Sequence, residues 1–378
     1  MNYLYTFIAL VSSIILALIV IPKILVIAEK HSLYDVPNER KTHKGNIPRI
    51  GGVSFVPCIL ISLLLTFGLY FMNIDQTGSS LPPDTAEFSF LFSGLLLLYL
   101  GGVKDDLVGS RYRHKFVLQI IASTLVVVSG TYINNMYGFL GIHELPAWIG
   151  MPLTVLVLVF IINAINLIDG MDGLASGISI IGLCIYGTLF QLHGLWFYAV
   201  LASGTVGVLI PFFYYNVFGN ARKGKKLFMG DSGSLSLGLI LGFLAVRYAC
   251  YTPEIYLPLE NTLVIAVSPI LIPMLDVVRV MIVRAKKRRH IFKPDRNHIH
   301  HKLMDMGLAN SVSLMIMLGT GLSFCIINYA MIPFFRTEIV LLIDIALWLL
   351  LNKYLNYLVR KHHAEIKNVH CPTSVVNQ

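Results

Sequence analysis

The 378-residue sequence is built from long apolar runs, and nothing else in it constrains the fold so strongly. A run of about 18 or more apolar residues is long enough to cross a bilayer as a helix. About eleven segments read this way: 3–27, 50–71, 87–103, 115–132, 150–168, 174–191, 194–215, 233–250, 261–283, 311–333 and 338–358. The sixth and seventh are separated only by polar Gln191 and His193 with Gly194, so their division decides the direction of every later segment. The expected fold class is an all-α integral membrane protein of about eleven transmembrane helices. Residues 1–360 are expected to form a single polytopic membrane domain and 361–378 a short tail.

Charge supplies the orientation. If the loop after Pro22 is cytoplasmic and the spans alternate, all but Arg247 and Arg336 of the 29 Lys and Arg residues fall at the cytoplasmic face. That asymmetry is the positive-inside rule, and it predicts the N-terminus outside and the C-terminus inside. The first segment lacks a basic stretch before it and is expected to remain as a span rather than be cleaved. Only 13% of residues are charged against 56% hydrophobic, a balance foreign to soluble domains. The five cysteines are scattered and show no disulfide or metal spacing.

Polar residues gather at five places, all at cytoplasmic span ends. The first, Thr42 to Gly52, carries Lys44 and ends in Pro48-Arg49-Ile50-Gly51-Gly52. The second is Lys104-Asp105-Asp106, with Lys115 a short turn beyond. Adjacent carboxylates repel unless a cation or a proton is shared, and oxygen-only ligands suit Mg²⁺. In the third, Asn163, Asn166, Asp169 and Asp172 recur every three residues, which keeps them near one helix face. The fourth, Phe228-Met229-Gly230-Asp231-Ser232-Gly233-Ser234, opens a span as an N-cap or as a phosphate-binding helix start. The fifth is a basic loop closing on Asp295-Arg296-Asn297-His298-Ile299-His300-His301. Zinc is disfavoured there because no cysteine lies near, and imidazoles beside guanidiniums suit a phosphorylated substrate. Neither a Walker-type loop nor a basic-aromatic pattern for nucleic acid is present.

These five stretches, in this order, resemble the polyprenyl-phosphate N-acetylhexosamine-1-phosphate transferases, the group that holds the WecA, TagO and MraY enzymes. The resemblance implies transfer of an N-acetylhexosamine 1-phosphate from a UDP-sugar to undecaprenyl phosphate, with release of UMP. It implies Mg²⁺, or Mn²⁺ in its place, on Asp231 and Asp105. Asp105 and Asp106 would serve the lipid phosphate, one of them as a base. Asp172, Gly170, Met171 and Phe228 would line a uracil pocket, and Asn166 and Asp169 the diphosphate side. Lys115, His300 and His301 would balance phosphate charge, while Lys44, Asn163, Arg296 and His298 complete the substrate contacts. The His-Ile-His-His form is similar to the WecA and TagO branch and makes UDP-GlcNAc the first choice of donor. The expected setting is the bacterial cytoplasmic membrane, with the site facing the cytoplasm. The product would feed O-antigen, teichoic acid or a related surface polysaccharide, and a homodimer is implied by the resemblance alone. The rival readings are an MraY-type phospho-MurNAc-pentapeptide transferase and, from another class, a secondary transporter with broken helices and inverted repeats.

Overall fold

A computed structural model describes residues 2–35, 47–73, 84–250, 261–288 and 298–370. Lys44 and Arg296 lie outside the described residues.

The apolar runs form helices almost one for one. They are α1 (Asn2–Lys30), α2 (Phe55–Met72), α3 (Thr85–Val108), α4 (Tyr112–Val128), α5 (Ala147–Ile168), α6 (Leu174–Leu192) and α7 (Trp196–Val217). There follow α8 (Gly230–Cys250), α9 (Thr262–Val267), α10 (Leu271–Lys286), α11 (Ile299–Asp305), α12 (Asn310–Met331) and α13 (Thr337–His370). Among the described residues, nine helical stretches are long and apolar enough to cross a membrane. Of the other two expected spans, α4 has 17 residues and α13 has 34. The chain is thus an all-α multi-pass membrane protein. Among the described residues its only strand pairing is a two-residue ladder, Tyr34–Asp35 against Ile47–Pro48.

The doubtful division between the sixth and seventh segments is real. Gly194, at a φ of +76°, turns the chain between α6 and α7. The expected span 261–283, in contrast, is not one helix. It breaks into α9 and α10 at a 3₁₀ turn, Ser268–Ile270, where Pro269 removes a backbone donor. The polar groups exposed by the break are met from neighbouring helices, as the interior of a membrane protein requires. The Tyr186 hydroxyl donates to the Ala266 carbonyl at 2.6 Å, and Asn328 Nδ2 donates to Ser268 Oγ at 2.9 Å. The last helix also runs further than expected, continuing to His370 across residue 360.

Helix α8 is the axis of the bundle. Every residue from Gly230 to Ala249 except Arg247 is buried, and α3 and α5 are its main neighbours. Its glycines and serines keep bulky side chains out of those contacts, the usual device of close membrane packing. Large apolar side chains on the outer helices face outward instead, such as Phe7 and Leu18 on α1 and Leu342 and Leu349 on α13.

Two polar clusters sit at opposite ends of α3 and α8. At one end Arg247 Nε lies 2.8 Å from the Tyr198 hydroxyl and 3.1 Å from Glu87 Oε2, with Asp84 beside them. This explains how one of the two misplaced cations is accommodated: both partner carboxylates come from the start of α3. At the other end lie the motifs.

Candidate active site

The centre is built where α3 ends, α4 begins and α8 begins. Asp105 and Asp106 close the last turn of α3, and Asp231 is the second residue of α8. One carboxylate oxygen from each lies within 4.8 Å of the others. Three like charges so close need cations, and the chain brings two. Lys115, in the first turn of α4, donates to Asp105 Oδ2 at 2.8 Å and also to Asp231 Oδ2. Arg49 donates from Nη2 to Asp231 Oδ1 at 2.9 Å. Ser110 completes Asp105 with a 2.6 Å bond to Oδ1.

Asp106 has a different duty. Its Oδ1 accepts the backbone N–H of Asp231 at 2.7 Å, and its Oδ2 accepts both the N–H and the hydroxyl of Ser232. A helix start leaves its first N–H groups without partners and carries a partial positive charge. Asp106, supplied by another helix, satisfies both needs of α8. The sequence allows Gly230–Ser234 to be either an N-cap or a phosphate-binding helix start. The capping carboxylate comes from α3, and Asp231 is left to face the cations.

Backbone contacts hold the first and fourth stretches together. Gly51 N donates to the Phe228 carbonyl at 2.9 Å, Gly52 N to the Met229 carbonyl at 2.7 Å, and Phe228 N to the Pro48 carbonyl at 2.9 Å. A Cβ on Gly52 would stand 2.0 Å from the backbone nitrogen of Gly233. Gly230 has a φ of +76°, and a Cβ there would stand 2.6 Å from Asp106 Oδ2. Only glycine fits both positions.

The polar stripe of α5 divides by depth. Asn166 Nδ2 donates to Ser234 Oγ at 2.8 Å and reaches Asp231 Oδ1 at 3.4 Å. Asn163, one turn deeper, instead forms an amide pair with Gln119 of α4, its Nδ2 donating to Gln119 Oε1 at 2.6 Å. Asn163 therefore joins α4 to α5 and is not drawn into the acidic centre. Asp169 lies just past α5. Burial pushes its carboxyl well above the usual range, with Arg49 opposing and the charges of Asp231, Asp106 and Asp172 adding to the rise.

Asp172 is paired with Lys226 at 2.5 Å. Asn216, at the end of α7, accepts from Gly173 N at 2.6 Å and donates to the Leu227 carbonyl at 2.8 Å. These bonds lay the segment carrying Phe228 alongside the loop carrying Gly170, Met171 and Asp172. Met171 is buried within it.

The histidine stretch meets the same loop. A Cβ on Gly170 would stand 3.1 Å from His300 Nε2. His298, His300 and His301 follow one another as touching rings, His298 stacked on His300 at 12° between planes. Burial, with neighbouring His301 and His298 adding to it, pulls the His300 pKa down to about 3, so its imidazole is neutral. His298 Nδ1 donates to Asp276 Oδ2 at 2.7 Å.

Contacts thus join all five motif stretches at one end of the bundle. The sequence reading assigned no role to Arg49, Ser110, Gln119, Asn216, Lys226 and Asp276. Gln119 and Asp276 did carry a signal, as polar residues inside apolar runs. Asn216 and Lys226 carried none, because their partners lie on other elements.

Fold and site define a multi-pass membrane protein with an acidic, cation-bridged centre at one end of its helices. Residues 88–249 match the model of "Glycosyl transferase family 4". The chain is 31% identical to the Bacillus subtilis "Probable undecaprenyl-phosphate N-acetylglucosaminyl 1-phosphate transferase", over 84% of this chain and 83% of the relative. It is 30% identical to the Mycobacterium leprae "Decaprenyl-phosphate N-acetylglucosaminephosphotransferase", over 79% and 76%. An Escherichia coli O157:H7 "Undecaprenyl-phosphate alpha-N-acetylglucosaminyl 1-phosphate transferase" is 28% identical over 87% and 84%. This chain belongs to glycosyl transferase family 4, alongside these polyprenyl-phosphate sugar-1-phosphate transferases.

Proposed function

We propose that this protein transfers N-acetylglucosamine 1-phosphate from UDP-GlcNAc to undecaprenyl phosphate, giving a lipid-diphosphate sugar and UMP. The convergence of Asp105, Asp106 and Asp231 within 4.8 Å, with Lys115 bridging Asp105 and Asp231, carries the reading. Such a centre at a helix end suits a soluble phosphorylated donor that must meet a lipid acceptor. The positive-inside distribution supports eleven spans, the N-terminus outside and the centre facing the cytoplasm. The bacterial inner membrane is the corresponding location.

The reaction forms a bond from an acceptor phosphate oxygen to the β-phosphorus and breaks the bond to the α-phosphate, so UMP leaves with the electron pair. Arg49 and Lys115 offset the charge of the phosphate oxygens, and neutral His300 orients one of them through a ring N–H, which matters more here than proton removal. Asp105, held by Lys115 and Ser110, faces the lipid phosphate, which reacts as its dianion. Asp106 keeps the start of α8, and hence Asp231, in place. The loop of Gly170, Met171 and Asp172 with Phe228 forms the uracil side, and Asn166 and Asp169 the diphosphate side. His301, Lys44 and Arg296 belong to the sugar and phosphate contacts, whereas buried His298, bonded to Asp276, stands behind His300 and acts through it.

The donor set is all oxygen, carries three carboxylates and is small, which fits Mg²⁺ better than a softer metal. Asp231 and Asp105 would hold it. Once bound, Mg²⁺ supplies further neutralisation of the diphosphate and of departing UMP.

The His-Ile-His-His form favours the GlcNAc donor over the larger muramoyl-peptide one. A transporter reading gains little from the broken span, because Tyr186 and Asn328 seal that break. The test is UMP release by the purified protein in detergent with UDP-GlcNAc, UDP-GalNAc and UDP-MurNAc-pentapeptide. Release should require UDP-GlcNAc, undecaprenyl phosphate and a divalent cation together. Release without the lipid, or with none of the three donors, refutes the proposal.

A further inference from the structure

Asp276 lies within α10 and is 2% exposed. A carboxylate inside a membrane helix is costly unless it is paired. Both of its oxygens are engaged. Oδ1 accepts from Arg279 Nη2 at 2.9 Å, and Oδ2 accepts from His298 Nδ1 at 2.7 Å. Arg279, three residues along the same helix, accounts for the charge. The second bond does something else, for it crosses 22 residues to a histidine beside the site.

His298 is the residue that starts α11, a helix of only seven residues with no side-chain cap. So short a helix has little stability of its own, and its orientation must come from tertiary contacts. A carboxylate on Nδ1 also fixes the imidazole tautomer and ring plane. The ring so fixed stacks on His300 at 5.8 Å between centroids. His300 is 1% exposed, and among the described residues neither of its ring nitrogens has a hydrogen-bond partner. Buried polar atoms rarely stay unsatisfied without cause. Here the ring lies against the Gly170 turn, where a substrate phosphate oxygen would supply the missing acceptor.

We infer that Asp276 is a positioning residue: through His298 it sets the His300 ring against the Gly170 turn, ready for a phosphate oxygen of the nucleotide sugar. The inference rests on the function proposed above.

The experiment uses purified full-length Asp276→Asn, Asp276→Glu, His298→Gln and the Asp276→Asn/His298→Gln double variant. It reads kcat and KM for UDP-GlcNAc and for undecaprenyl phosphate, per folded, monodisperse molecule. Asp276→Asn and His298→Gln should each lower kcat/KM for UDP-GlcNAc by ~10²-fold, and leave KM for the lipid within about twofold, since misplacing one group near the reaction has that scale of effect. The double variant should be no worse than the poorer single one, because both remove the same link. Asp276→Glu, which keeps the carboxylate, should recover part of the loss. Losses that multiply in the double variant overturn the inference. So does an Asp276→Asn protein obtained in low yield but with wild-type kinetics per folded molecule, which would assign Asp276 to folding alone. If Asp276→Asn yields no folded protein, His298→Gln decides: wild-type kinetics refute the link, and the expected loss supports it. Failure of the functional reading is seen separately, as absence of UMP release by the wild type. In that event the imidazole ¹⁵N spectrum still reports the pair, and an unchanged His298 signal in Asp276→Glu and Asp276→Asn overturns it.

Discussion

Asp231 and Asp106 stand 2.7 Å apart by a backbone-to-carboxylate bond, yet their surroundings give them opposite duties. Asp231 points its oxygens at Lys115 and Arg49, while Asp106 spends both of its own on the N–H groups of α8. Asp231→Asn should therefore lower UMP release by at least ~10²-fold at nearly unchanged thermal stability, since it removes the carboxylate that would hold the divalent cation and that fixes Lys115 and Arg49. Asp106→Ala should lose activity and stability together, the stability part being about 1 kcal/mol for a lost helix cap. Melting curves beside turnover assays would separate the two, and equal behaviour would dismiss the distinction. His300 offers a pH signature. Folded, it protonates only at about 3, whereas the ordinary imidazole value is 6.5. The unfolded chain takes the proton first as pH falls, so the stability tied to neutral His300 is whole above pH 6.5 and fades toward pH 3. Asp169, raised by burial, acts in the opposite sense, since its neutral form is the one favoured when folded. Comparing wild type with His300→Phe isolates the histidine. The wild type should lose more melting temperature between pH 7 and pH 5 than the variant does, and parallel losses would contradict the assignment.

At the scale of elements, the site depends on backbones that touch. The segment Pro48–Gly52 is bonded backbone to backbone with Phe228 and Met229, and Gly52 lies directly against Gly233. In Gly52→Ala the new methyl would meet the Gly233 nitrogen at 2.0 Å, a contact that neither backbone can relieve without moving. The displacement would carry Asp231 away from Lys115 and Arg49. The expected result is a drop in UMP release of ~10²-fold, with the loss falling on kcat. A Gly52→Ala enzyme with wild-type turnover would mean that the two segments are free to separate. The broken α9–α10 span shows the complementary rule. A Pro in an apolar run is tolerable because Tyr186 and Asn328 reach into the break from α6 and α12.

For the whole molecule, α3 and α8 run antiparallel and carry unlike clusters at their two ends. Asp105, Asp106 and Asp231 occupy one end, and Asp84, Glu87, Tyr198 and Arg247 the other. If the acidic centre faces the cytoplasm, single cysteines at 111, 223 and 287 should react with an impermeant thiol reagent only in inverted vesicles. Cysteines at 140 and 336 should react only from the outside. Labelling of positions 111 and 223 from opposite sides would remove the common compartment that the reaction needs.

Much of this was already determined by the chain as written. Apolar run length gave the helices, and Gln191, His193 and Gly194, with the spread of Lys and Arg, divided α6 from α7. Ionisable residues at span ends marked Asp105, Asp106, Asp231 and the histidines, because charge next to lipid demands a purpose. What tertiary structure alone decided is how the work is shared. Asp105 and Asp106 are neighbours of identical chemistry, and only the approach of α8 makes one a cap and the other a partner of Lys115. Asn163 continues the stripe of Asn166, yet Gln119 on another helix claims it. Asp276 reads as a charge balanced by Arg279 within its own helix until His298 is seen beside it. Run length and charge are properties of a segment and can be read along it, whereas a hydrogen bond needs the position of its second partner, which only the folded packing supplies.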